Sequence, residues 1–167
     1  AKMVAKIARG FYMPVYAYSP IMTEDDLRKE GEYGVIPANS AEELFGNSDI
    51  VSLHMPLLED TRRCVNYHLL SRMPDNGILV NSARKEVINE DDLMRIMEER
   101  PNFRYITDIQ PDKHDEFVAK FPKRYFATPK KTGAQTLEAN INAGLAAAKQ
   151  IVAFFKNDDE TFRVNPK

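Results

Sequence analysis

The sequence predicts an α/β protein built on a parallel sheet, doubly wound, with helices on both faces. Three observations predict it. Short runs rich in Val, Ile and Tyr recur along the chain, helical runs with clear start signals lie between them, and the two kinds of run alternate from end to end. At 167 residues with 43% hydrophobic side chains, the chain is long enough for one well-buried core and hardly for two.

Each element has its own signal. "AKMVAKIARG" reads as a helix ending near Gly10, and "VYAY" at 15–18 as the first strand. "TEDDLRKE" opens a helix with Thr23 as N-cap and acids in the first turn. "SAEELF" opens another with Ser40, and Glu43 three residues on completes a capping box. "DIVSLHM" at 49–55 is the second strand, and "GILVNSA" at 77–83, behind the turn signal Pro74-Asp75-Asn76-Gly77, the third. "NEDDLMRIMEER" starts at Asn89 and sets Leu93, Ile96 and Met97 on one helix face. "FRYITDI" at 103–109 and "YFATP" at 125–129 complete the strands. Residues 134–155 carry Leu137, Ile141, Leu145, Ala148, Val152 and Phe155 at helical spacing, an amphipathic helix expected to pack along the domain. Residues 156–167 read as a charged, frayed tail. A doubly wound sheet has a strand and a glycine-rich, phosphate-holding turn before its first helix. This sequence opens on the helix, so the expected fold lacks that strand and turn.

Charge and composition narrow the partners. Lys plus Arg number 23 and Asp plus Glu 25, a formal net charge of −2, which gives no basic field for nucleic acid or an anionic membrane. Arg84, Lys85, Lys130 and Lys131 form at most a local positive patch, suited to a small anion. No stretch is long and apolar enough to span a bilayer, and no signal-peptide pattern opens the chain. The lone Cys64 excludes a disulfide framework and fits a reducing, cytoplasmic compartment. It reads as a small buried hydrophobe, although Arg62 and Arg63 beside it suit a thiolate. His54, His68 and His114 are scattered without metal-ligand spacing, so no metal is expected.

The segment "ILVNSARKEVINEDDL" raises a sharper point: a buried strand ends on Arg84, just before a helix start. Ligands of open α/β sheets collect outside the carboxyl ends of the strands, where a guanidinium meets an anion. A surface arginine paired with Glu86 is the alternative, and the residues alone leave both readings open.

Several segments in order resemble one family. "VAKIARGFYMPVYAYSP", "NSDIVSLHMPLLEDTRRCVN", "ILVNSARKEVINEDDL", "YITDIQPDK" and "FATPKKTGAQTLEANINAG" are collinear with motifs of the D-isomer-specific 2-hydroxyacid dehydrogenases, and within them of the 3-phosphoglycerate dehydrogenases. The resemblance implies a Rossmann-like nucleotide-binding domain at 1–155, partial at its start, with 156–167 as tail and the substrate domain absent. It implies NAD as cofactor, a small 2-hydroxy or 2-oxo acid as substrate, and a homodimer. By the same resemblance Arg84 holds the substrate carboxylate and Asp108 receives the nicotinamide carboxamide. Ser82, Ala83 and Gly133 offer backbone groups to the cofactor, and His54, Pro56 and Thr61 lie along the ribose. His54 also reads simply as a strand-end imidazole satisfied by a backbone carbonyl.

Departures from the family pattern are as informative. Lys130 stands where the family has its histidine base, and Gln110 where it has the glutamate that orients that base. The two changes agree physically. A lysine has a single nitrogen and no tautomer to fix, and a glutamate beside it would raise its pKa, the wrong direction for a base. Lys130 is therefore expected to act as acid/base, the alternative being a dead site that merely attracts anions. Ser19 stands where NAD-using members have an aspartate for the ribose hydroxyls, and no arginine follows to welcome a 2′-phosphate, so NAD is expected over NADP. Tyr12 and Lys85 occupy positions where the family often has glycine. The same motifs also permit a glyoxylate or hydroxypyruvate reductase, and the altered positions permit a non-catalytic nucleotide-sensing protein of the same fold.

Overall fold

In a computed structural model, residues 1–30, 34–129 and 136–163 are described. They fall into two compact units, Ala1–Lys130 and Lys131–Lys167. The first unit carries the sheets: α1 (Lys2–Gly10), β1 (Tyr16–Ala17), α2 (Glu24–Glu30), β2 (Ile36–Pro37), α3 (Ala41–Gly46), β3 (Ile50–Leu53), α4 (Tyr67–Leu70), β4 (Ile78–Asn81), a one-turn 3-10 helix (Lys85–Val87), α5 (Glu90–Glu99), β5 (Arg104–Thr107), α6 (His114–Lys120) and β6 (Tyr125–Ala127). The second unit is α7 (Leu137–Asn157) and the residues around it.

All pairings are parallel, but the strands do not form one sheet. β1 pairs with β2, and β3 to β6 form a separate four-stranded sheet in sequential order. These are the two flanks of a doubly wound sheet, so the α/β class holds while the single continuous sheet does not. β1 and β3 each keep one edge unpaired among the described residues, since each pairs on one side only.

The local signals act as read. Ser40 Oγ accepts from Glu43 N (3.1 Å), and the Glu43 carboxylate reaches back to Asn39 N (2.7 Å), one residue earlier than the expected box. Thr23 Oγ1 accepts from Asp26 N (3.2 Å), and Asn89 Oδ1 from Asp92 N (3.5 Å). Gly77 closes its turn by donating to Pro74 O at 2.9 Å. A Cβ there would meet that same oxygen at 2.9 Å and the Phe103 ring at 3.0 Å, so the turn has room only for glycine. Tyr12 adopts φ 60, the left-handed conformation that a glycine takes without strain.

The core lies on one face of the four-stranded sheet. Val51, Leu53, Leu79, Tyr105 and Tyr125 point into it, and Phe45, Leu69, Leu70, Leu93, Ile96, Met97 and Phe117 meet them from α3 to α6. The predicted α5 stripe of Leu93, Ile96 and Met97 is fully buried. Each such side chain contributes roughly 1.5–3 kcal/mol. Tyr105, Phe117 and Tyr125 stack with ring centroids 5.1–5.8 Å apart. On the opposite face Ile50 (47%), Ile106 (39%) and Phe126 (59%) are exposed and Ser52, Ile78 and Val80 partly buried.

Three elements had no sequence signal strong enough to read: β2, α4 and α6. The last helix corrects an expectation. α7 runs from a Thr136 N-cap to Asn157, two residues past the predicted end and into the expected tail.

Candidate functional site

Parallel register fixes what stands together. Leu53 pairs with Asn81, Asn81 with Thr107, and Thr107 with Ala127. The next residue of each strand therefore follows at the same edge, giving a row of His54, Ser82, Asp108 and Thr128 at the carboxyl ends. Asp108 N donates to Asn81 O (3.2 Å) and Thr128 N to Thr107 O (3.1 Å), which extends the ladder into this row.

Behind the row, two buried polar side chains shape the loops. Asn81, fully buried, accepts from Ala83 N at 2.9 Å and donates from Nδ2 to Arg84 O at 3.0 Å. This clamp turns the chain so that Arg84 leaves the strand in extended conformation (φ −128, ψ 144) and caps the 3-10 turn, with its side chain exposed. Thr107 Oγ1 donates to Ile109 O (2.9 Å) and accepts from Ile109 N (3.1 Å), fixing the turn after Asp108. Sequence reasoning assigned neither residue a role. The signal was available for Asn81: a polar side chain closing an apolar run, two residues before an N–H it can cap.

The predicted residues fare differently one by one. Arg84 forms no ion pair among the described residues, so the pairing with Glu86 is not found; Glu86 Oε2 is itself buried without a partner. Ala83 directs its N–H to Asn81 Oδ1 at 2.9 Å. Thr61 is a loop staple: Oγ1 donates to Pro56 O (2.8 Å) and accepts from Leu58 N (2.7 Å), tying Pro56 and Thr61 into one turn. His54 Nε2 lies 2.9 Å from Ser52 Oγ rather than a backbone carbonyl, and partial burial of the ring lowers its pKa. Lys85 is turned to Asp112, whose hydrogen bond raises the lysine pKa. Cys64 is half-buried with Sγ 3.5 Å from Met55 Sδ, and burial pushes its thiol up, against a reactive thiolate. Gln110 is exposed, its Nε2 3.4 Å from His114 Nε2, while His114 Nδ1 sits 2.7 Å from the Tyr125 hydroxyl. Lys130 and Gly133 lie outside the described residues.

Two features suit a ligand. The Oδ1 of Asp108 is buried and finds no hydrogen-bond partner among the described residues, an acceptor without a donor. A cleft of about 330 Å³ opens at the carboxyl ends of β1 and β2, with Tyr18, Ser19, Ala38 and Asn39 in its wall. Ser19 is thus placed in the wall of this cleft. Among the described residues no three His, Cys, Asp or Glu side chains converge as a metal site, and no helix is long and apolar enough to cross a membrane.

Comparison with known proteins identifies the domain. The family model described as D-isomer specific 2-hydroxyacid dehydrogenase, NAD binding domain, matches residues 1–129. The chain belongs to this family. A 3-phosphoglycerate dehydrogenase of Entamoeba histolytica, solved with NAD+ bound, is similar in structure with a TM-score of 0.82 and 42% identity, over 99% of this chain and 51% of that one. The hydroxypyruvate reductase of Thermotoga maritima is 33% identical over 153 residues, 89% of this chain and 47% of that protein. The D-3-phosphoglycerate dehydrogenase of Bacillus subtilis is 27% identical over 156 residues, 92% of this chain and 28% of that protein. The chain thus spans about half the length, or less, of these dehydrogenases. As the NAD-binding domain of the family it takes NAD as its cofactor. The residues present fit that cofactor: the buried acceptor of Asp108 suits a carboxamide donor, and the cleft beside Ser19 suits a nucleoside.

Proposed function

We propose that this domain serves a D-2-hydroxyacid dehydrogenase acting on 3-phosphoglycerate and its 2-oxo counterpart. The observation that carries the reading is the 42% identity, along 99% of the chain, to a 3-phosphoglycerate dehydrogenase with NAD+ bound. Hydroxypyruvate is the second candidate, favoured by the 33% identity to a hydroxypyruvate reductase.

The chemistry follows from residue types. When bound, NAD supplies the acceptor for the hydride that leaves C2 of the hydroxy acid. Arg84, exposed at the β4 exit and held there by Asn81, is suited to grip the substrate carboxylate through two parallel N–H bonds. Lys130 takes the hydroxyl proton through its neutral amine, and returns it from the ammonium in the reducing direction. A guanidinium beside an amine favours its neutral form, and Gln110, standing where the family has a glutamate, brings no charge to oppose it. Asp108 Oδ1 accepts from the nicotinamide carboxamide, Ser82 and Gly133 offer backbone groups to the cofactor, and the His54 to Thr61 turn borders the ribose.

This domain alone is expected to be inactive, so the test is NADH oxidation by the domain joined to a substrate domain of the family, with 3-phosphohydroxypyruvate and with hydroxypyruvate. Preference for the first is expected. Lys130→Ala should lower kcat by about 10²–10⁴-fold, and Arg84→Ala should raise KM by about 10–100-fold. Turnover of neither oxo acid, or full activity in Lys130→Ala, would refute the reading.

A further inference from the structure

His114 links the exit of β5 to β6. Its Nδ1 lies 2.7 Å from the Tyr125 hydroxyl, and its Nε2 lies 3.4 Å from the side-chain amide of Gln110, two residues beyond Asp108. We propose that His114 is a positioning residue: together with Tyr125 it fixes the Gln110 amide with its NH2 group outward, where that group donates to the C2 oxygen of the oxo acid as charge builds there. The proposal rests on the dehydrogenase reading and adds to it a donor for the reacting oxygen.

The direction of the relay follows from Tyr125. Its side chain is 8% exposed and packs against Tyr105 and Phe117, and among the described residues its hydroxyl has His114 Nδ1 as hydrogen-bond partner. A buried O–H left undonated is rarer and costlier than an oxygen with a spare lone pair, so the phenol donates and Nδ1 accepts. Burial, which raises the Tyr125 pKa, keeps the proton on that oxygen. A neutral imidazole that accepts at Nδ1 carries its own proton at Nε2. Two nitrogen donors cannot bond to each other. The two ends of a glutamine amide fill nearly the same space and are told apart by their partners, so the Gln110 oxygen takes the place facing His114 and the NH2 group points away. Gln110 is exposed, which leaves that outer end open to a ligand. Its backbone is held as well, because Thr107 Oγ1 donates to Ile109 O (2.9 Å) and accepts from Ile109 N (3.1 Å) in the turn just before it.

An outward N–H suits the reaction. On reduction a hydride adds to C2 from the reduced nicotinamide, the C2–O π bond breaks, and its electron pair settles on oxygen until the proton from Lys130 arrives. A fixed amide donor stabilises that oxygen without having to reorganise. A glutamate at this position has only acceptors to present.

The experiment has two readouts. Long-range proton–nitrogen NMR correlation on the full chain, at a pH where the ring is neutral, should show the His114 proton on Nε2, and Tyr125→Phe should release the ring to both tautomers. A proton on Nδ1 in wild type overturns the relay. Kinetics use the domain joined to a substrate domain. Gln110→Glu keeps the inner contact and removes only the outer donor, and Gln110→Met removes the donor without adding charge. Both should lower kcat by about 10²–10³-fold, with KM changed far less. Tyr125→Phe should lower kcat by about 3–10-fold alone and not at all in the Gln110→Met background, a dependence that a purely structural role would not show. Circular dichroism checks that the variants fold. Unchanged kcat in both Gln110 variants, or equal losses for Tyr125→Phe in the two backgrounds, overturns the proposal and leaves the dehydrogenase reading standing. No turnover by the joined wild type would remove that reading and with it the oxygen that Gln110 serves, whatever the tautomer.

Discussion

Tyr105 shows how one residue ties the core to the site. Its ring is 1% exposed and packs against Phe117 and Tyr125, two residues before the Thr107 that shapes the Asp108 turn. Burial pushes its hydroxyl from 10.0 up to about 12, against small opposing hydrogen bonds from Thr107 and Asn81. The sign follows directly. Between pH 10 and 12 the unfolded chain gives up this proton while the folded chain keeps it, so stability is full below pH 10 and falls as pH rises. The loss is on the order of 1.4 kcal/mol per pH step, or about 2–3 kcal/mol by the top of that range. Urea unfolding at pH 9 and pH 11 should show this fall, and Tyr105→Phe should reduce it. Some should remain, because burial also raises the Tyr125 hydroxyl. An equal fall in Tyr105→Phe would exclude this origin. Other residue-scale contacts were hidden in the sequence for a simple reason. The His114–Tyr125 contact joins α6 to β6, and its partners meet only once β6 has paired. Periodicity along a chain cannot announce contacts of that kind.

At the scale of elements, legibility follows length and pattern. α5 was readable because its cap and its Leu93, Ile96 and Met97 stripe occur together over ten residues. α6 spans seven residues with Phe117 as its buried residue, so it has no stripe to read. β2 is two residues long and contains a proline, which argues against a strand on sequence grounds. Arg84 was legible as a strand-end cation, but the clamp that places it was not. That clamp is a property of the β4 exit as a unit, and it carries a prediction. Asn81→Ala removes a fully buried side chain and with it the partner that it gives Ala83 N and Arg84 O, which should cost about 1–3 kcal/mol in chemical denaturation. The freed turn should also raise KM for the oxo acid more than it lowers kcat. An unchanged KM would mean that Arg84 is held by something else.

Parallel sheets are normally covered on both faces; within the first unit α3 to α6 pack one face of the four-stranded sheet, and Ile50, Ile106 and Phe126 of the other are exposed. Exposed surfaces of this kind promote association. The combined change Ile106→Thr with Phe126→Thr should therefore lower binding of an apolar dye and slow aggregation, with a shift in unfolding midpoint much smaller than a core truncation gives. Unchanged dye binding would show that the sheet face is not the surface responsible.

The two loops that border the site are also sewn to each other. Arg63 N donates to Glu86 O (2.8 Å), Val65 N to Val87 O (3.0 Å) and Asn89 N to Val65 O (2.9 Å), giving a parallel bridge between Val65 and Ile88. Arg63 adopts φ 54 where the first of these forms. All three bonds run from main chain to main chain and are therefore indifferent to side-chain identity. The seam's own side chains, Val65, Val87 and Ile88, are buried in the core, so the frame is anchored from within while the exposed residues of both loops stay free to change.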